Sequence, residues 1–160
     1  MTSKTVAYYS AMLRVGLGDA FYRAFDQVLE EEEPLSKLTL SLCDCICDVN
    51  AVLQVLGEYL SEYPADDQAV YELILADLKN RCASGTMTRK GMVTALNDIA
   101  HALDKCMEEP WYYIVYMADN LDLCEDGIIS ENVFNTCFDA WFDYGQWLDV
   151  WELQNKENTQ

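Results

Sequence analysis

Asp122, Asp126, Gly127 and Ile129 fall where a calcium-binding helix–loop–helix places its first and fifth oxygen ligands, its turn glycine and its aliphatic eighth residue. The chemistry on offer is ligation of a hard cation by carboxylates. Such a loop also needs oxygen donors at its third and twelfth positions. Cys124 and Val133 stand there instead. With two essential ligands missing, tight calcium binding is not expected. The stretch from Asn80 to Gly91 around Gly85 departs further, with Cys82 at the third position and Gly91 at the twelfth.

Other candidate chemistry is thinner. Cys43, Cys45 and Cys47 alternate with other residues and have no second Cys or His pair nearby, which is not a zinc pattern. An odd total of seven cysteines argues against a disulfide framework. The thiols are expected to be reduced and buried, in an intracellular, cytoplasmic protein. The single histidine, His101, lies at the edge of an apolar helical stripe and reads as a partly buried or surface residue rather than a general base. Asp66 and Asp67 read as helix-start charges. No nucleophile elbow, Gly-rich phosphate loop, His-Glu zinc motif or nucleotide fingerprint occurs. The expectation is a non-enzyme with no metal and no cofactor.

Charge narrows the partners. Eleven Asp and Glu residues and no Lys or Arg lie between Cys106 and Asn155, and residues 38–78 carry eight acids and again no base. The formal charge of −18 sits in segments rich in aromatic and aliphatic side chains. Nucleic acid and anionic membrane surfaces are poor partners, because both need basic residues to displace counterions. No apolar run approaches the roughly 18–20 residues of a membrane span. No secretory signal is visible at the N-terminus. Basic proteins, cations and apolar helices docking in a groove remain as partner classes.

The elements that would position these residues are helices. Val49, Val52, Leu53, Leu56 and Leu60 share one face, as do Val70, Leu73, Ile74 and Leu78. Leu96, Ile99, Ala100 and Leu103 form another stripe. Trp111, Ile114, Val115, Ala118 and Leu121 form the next, and Phe134, Cys137, Phe138 and Trp141 the last. Pro34, Pro64 and Pro110 sit between stripes, where a helix can start but not continue. Ser84-Gly85-Thr86 and Glu125-Asp126-Gly127 read as turns, and Thr88 and Ser130 as N-caps of the helices that follow. The spacing predicts an all-α, single-domain bundle of six to eight helices over 1–153, with a polar tail at 154–160 that frays. The helices fall at about 5–31, 37–62, 66–82, 88–106, 110–121, 130–143 and 146–153, the first with a break near Gly16 to Gly18.

The aromatic residues gather late. All four tryptophans, Trp111, Trp141, Trp147 and Trp151, lie in the last third of the chain beside acids, and they cannot all share one stripe. Some are therefore expected at the surface, where aromatics mark protein-binding sites.

The stretch Asp126-Gly-Ile-Ile-Ser-Glu131, followed by Trp141-Phe142-Asp143-Tyr144-Gly145-Gln146-Trp147, resembles the last part of viral Bcl-2 homologues, the poxviral members above all. In that apoptosis-regulator family a Trp, a short polar-Gly stretch and a second Trp open the second homology motif. Ala7 to Leu13 is similar to the family's first helix. Thr88 to Thr94 lies where the family has an Asn-Trp-Gly-Arg motif before its central helix, although the tryptophan and the Gly-Arg order are absent here.

The resemblance implies a central apolar helix wrapped by amphipathic ones. It implies inhibition of cell death by sequestering the amphipathic helix of a host pro-apoptotic protein, or binding to a host signalling adaptor. The partner-binding residues it implies are Arg89, Lys90 and Gly91 together with Trp141, Gly145 and Trp147. Arg89 or Lys90 would stand in for the groove's arginine anchor, and an acidic rim would favour ligand helices rich in Lys and Arg. A homodimer is left open. Two alternatives stand beside this reading: a degenerate EF-hand-type protein with little or no calcium binding, and a death-fold adaptor.

Overall fold

The computed structural model describes residues 1–159, and among these the chain is helical throughout, with nine helices and no strand. Two compact units are formed, Met1–Ala83 and Ser84–Gln160.

The first unit holds α1 (Ser3–Arg14), α2 (Asp19–Glu31), α3 (Lys37–Cys43), α4 (Val49–Glu62) and α5 (Asp67–Ala83). Helix α1 starts in a reciprocal cap, in which the Thr2 and Thr5 side chains each accept the other's backbone N–H. It packs against α2, α4 and α5, and it buries Val6, Tyr8, Ser10, Ala11, Met12 and Leu13. Burial at consecutive positions from Ser10 to Leu13 covers more than one face, as befits the hub of a bundle. The apolar centre of this unit joins Val6, Leu13, Phe21, Phe25, Leu42, Val52 and Leu56. Arg81 on α5 adds a polar brace, with Nε 2.8 Å from Asp77 and a terminal nitrogen 3.6 Å from Asp19 on α2. Burial, and then the Asp77 carboxylate, push the Tyr8 phenol of α1 well above its ordinary range beside that brace.

Of the two long helices predicted from periodicity, the first breaks where expected, near Gly16 to Gly18, and the second breaks where no break is expected. The expected 5–31 helix divides at a turn in which Gly16 takes φ 76°, a conformation that favours glycine. A Cβ at Gly18 would overlap the Leu13 side chain, which would have to shift to admit it. The expected 37–62 helix divides at Asp48, whose carboxylate accepts the N–H groups of Asn50 at 3.0 Å and Ala51 at 3.3 Å. An Asp side chain bonded to its own downstream backbone starts a new helix rather than continuing the old one. The break at Asp48 takes the number of helices among the described residues to nine, where six to eight are expected.

The second unit holds α6 (Arg89–Ala102), α7 (Trp111–Glu125), α8 (Glu131–Tyr144) and α9 (Val150–Asn158), each packed on the next. Thr88 and Ser130 cap α6 and α8 through their hydroxyls, as their positions predict. Helix α6 buries Met92, Val93, Leu96, Ile99 and Ala100 but leaves Thr94, Asp98 and His101 exposed, so it is amphipathic rather than enveloped. It ends at Ala102, short of the expected 106, and Asp104 takes φ 55° just beyond it.

Helix α9 continues through the polar stretch predicted to fray beyond 153, and Gln160, the last residue of that stretch, lies outside the described residues. The extension is held by α8: Gln154 accepts the Ser130 N–H at 2.8 Å, while Glu157 accepts the Ser130 hydroxyl and the Asn132 amide. The Ser130 hydroxyl, and then Asn132, hold the Glu157 carboxyl below its ordinary value. A depressed carboxyl contributes stability above the unfolded-state value, about pH 4.3 for Glu, and loses it as pH falls through the folded one. Glu157→Gln mimics the protonated form. The variant is expected to melt below the parent at neutral pH and together with it under strong acid, as followed by thermal circular dichroism at both ends.

The cysteines correct one expectation. All seven are free, but Cys43 and Cys47 are exposed, and of the seven only Cys137 is fully buried. Cys43 ends α3 and Cys47 lies in the turn before α4, so neither reaches the apolar centre.

Candidate protein-binding site

The six residues expected at a partner site all lie in the second unit, and most of them serve its packing. Arg89 opens α6 and reaches α8, with one terminal nitrogen 2.7 Å from Asp139, the other donating to Asn135 at 3.3 Å, and its guanidinium carbon 5.5 Å from the Phe138 ring centre. Phe138 meets Trp141 edge-on at 5.6 Å, Trp141 lies 5.9 Å from Trp147, and Trp147 stacks on Tyr113 at 4.8 Å with a 15° tilt. The structure thus brings Arg89, Trp141 and Trp147 into one ladder running from α6 across α8 to α7. The guanidinium that a docking helix would need is already paired with Asp139.

The other three have local roles. Lys90 sits 3.8 Å from Glu125 at the surface. The Gly91 N–H donates to the Thr88 cap at 3.0 Å, and an added Cβ would come 3.2 Å from that hydroxyl. Gly145 ends α8 at φ 64°, donating to Trp141 O at 2.9 Å while Gln146 donates to Ala140 O at 3.0 Å.

The two loops weighed for calcium share one backbone design. Gly85 takes φ 74° and Gly127 φ 71°, and in each loop a hydroxyl caps the outgoing helix three residues later. Val133, at the twelfth position of the second loop, is 2 % exposed and belongs to the apolar interior. Among the described residues no three His, Cys, Asp or Glu side chains gather as a metal ion would require.

A groove of about 510 Å³ opens in the first unit, between α3 and α4. Val55, Glu58, Tyr59 and Glu62 form one stripe of α4 along it, and Leu38 and Ser41 face it from α3. Leu38, Val55 and Tyr59 also rest on the unit's apolar centre, so the floor is continuous with the core. Glu32, Glu58 and Glu62 supply carboxylates at the rim, alongside Lys37 and the Met1 amino group. Glu32 is held in place by the Thr39 hydroxyl and the Ser36 N–H, which lower its carboxyl from its ordinary value and keep it ionised. Its volume lies within the range of about 300–1,000 Å³ that ligand pockets have.

Sequence periodicity missed this groove. The stripe through Val52, Leu56 and Leu60 marks the core face of α4, while Val55 and Tyr59 form a second, half-buried stripe beside it. The available signal was the pairing of Val55 with Tyr59 one turn apart, with Glu58 and Glu62 interleaved. Comparison with family models, curated proteins and solved structures finds no match to the chain.

Proposed function

We propose that this chain is a non-enzymatic protein-binding protein whose groove between α3 and α4, too small to enclose a whole helix, takes the anchor side chains of a partner's amphipathic helix lying across it. One observation carries the reading: an open groove whose apolar floor is continuous with the core and whose rim is acidic. Apolar anchors from one face of the partner helix fill the floor. Its Lys and Arg residues meet Glu58 and Glu62, which speeds capture and rejects acidic helices. The resemblance of residues 126–147 to viral Bcl-2 homologues suggests a host pro-death helix or signalling adaptor as the ligand.

The test is fluorescence polarisation with labelled amphipathic helices, death-ligand sequences and unrelated ones of equal charge, at about 0.15 M salt. Submicromolar binding is expected for basic members. Tyr59→Ala is expected to weaken it about tenfold, in the range of an aromatic interface anchor. Glu58→Gln with Glu62→Gln is expected to slow association chiefly at low salt. Absence of binding across the panel removes the reading. Equal binding by the unrelated basic helices removes only the apoptotic part.

A second reading is favoured by the matched turns at Gly85–Thr88 and Gly127–Ser130. They fit a degenerate EF-hand-type protein that keeps the helix–turn–helix frame without the cation. Both readings end in a binding protein rather than an enzyme.

A further inference from the structure

Helix α7 turns an aromatic stripe to solvent. Tyr112 is 48 % and Tyr116 38 % exposed, and Asp119 continues the same exposed face one turn on. Tyr112 touches Tyr113 with ring centres 5.7 Å apart, and Tyr113 carries the stacked, half-buried Trp147. Carboxylates border these rings. The Tyr113 hydroxyl donates to Glu109 at 3.3 Å. Burial, and then the Asp149 carboxylate, push the Tyr116 phenol up. Asp149 also accepts the Trp151 N–H at 2.8 Å, and Trp151 is 49 % exposed. No Lys or Arg lies in the sequence between Cys106 and Asn155, and cations that reach this stretch from outside pair with Glu108, Glu125, Asp139 and Glu152. Elsewhere in this unit Arg89 already lies over an aromatic ring and bonds a carboxylate.

We infer that the Tyr112–Tyr116 face of α7, with Trp147 and Asp149, is a second docking surface and takes an arginine-rich segment of a partner protein. A guanidinium stacks on aromatic faces while its fork of N–H donors bonds carboxylates, and it is less strongly hydrated than an ammonium. Nucleic acid and anionic lipid are repelled by the same carboxylates. A second copy of this chain would bring another −18 charges to the contact.

The test is a tryptophan-fluorescence titration of the full chain with an unstructured peptide of alternating arginine and serine, beside its lysine counterpart, at about 0.15 M salt. The arginine peptide is expected to bind about tenfold more tightly, a margin that two or three ring contacts supply. Tyr112→Ser with Tyr116→Ser is expected to abolish that margin at unchanged helicity, and Tyr112→Phe to keep it. Glu58→Gln with Glu62→Gln in the groove is expected to leave it intact. No binding, equal affinity for the two peptides, or indifference to the tyrosine changes would overturn the inference and leave only the field of an acidic chain.

Discussion

Phe138→Ala is expected to lower the stability of the second unit by about 3–5 kcal/mol, the range for deleting a buried aromatic ring. The ring is 1 % exposed and meets Phe134 at 6.3 Å, Trp141 at 5.6 Å and Phe142 at 5.2 Å. It also lies beneath the Arg89 guanidinium at 5.5 Å. The substitution therefore removes apolar burial, leaves a cavity and loosens the brace between α6 and α8 together. Urea denaturation followed by tryptophan emission reads both effects, because Trp141 rests on Phe138 and Trp147 rests on Trp141. A loss below about 1 kcal/mol, the size of an ordinary surface change, would mean that the ladder is not part of the core.

Val133→Glu is expected to destabilise the chain by about 3–5 kcal/mol, the cost of leaving an unpaired charge buried. By spacing alone the same change moves the loop toward a calcium site, since it supplies the missing carboxylate at the twelfth position while Cys124 still stands at the third. The two expectations separate cleanly. Val133 is 2 % exposed on the inner face of α8, so a glutamate there meets apolar neighbours. Thermal melts with and without millimolar calcium decide between them. A lower midpoint that calcium does not restore supports the packed-interior account. A midpoint raised by calcium and not by magnesium would show that the loop retains cation geometry, and would favour the EF-hand frame.

Much of the helical frame was legible in residue order. The stripe Leu96, Ile99 and Ala100 is buried on α6, and Phe134, Cys137, Phe138 and Trp141 are buried on α8. Thr88 and Ser130 cap those helices because a short hydroxyl side chain reaches an N–H within its own turn. Such signals are local: a cap needs neighbours within three residues, and a stripe needs only the helical period. The break at Asp48 was harder to foresee, because an unbroken run of apolar spacing hides one carboxylate that competes for the backbone.

The sites depended on more than local order. The resemblance implies Arg89 or Lys90 as a groove's arginine anchor, and the structure pairs Arg89 with Asp139 and Asn135, which lie on another helix. Trp141 and Trp147 were expected at a binding surface, and they form consecutive rungs of a ladder that ends on Tyr113. The stripe of groove residues Val55 and Tyr59 has meaning only once α3 lies against it.

The sequence by itself determined that the chain is helical, that Thr88 and Ser130 cap helices after glycine turns, and that the net charge is strongly negative. These follow from periodicity, cap chemistry and net charge, all of which act over a few residues or over the whole chain. Only the tertiary structure decided which cations are already paired, which aromatics face solvent and where a groove opens. Those depend on residues far apart in sequence meeting at one surface. Burial of Val133 turns a missing ligand into a core residue, and pairing with Asp139 turns a candidate anchor into a brace.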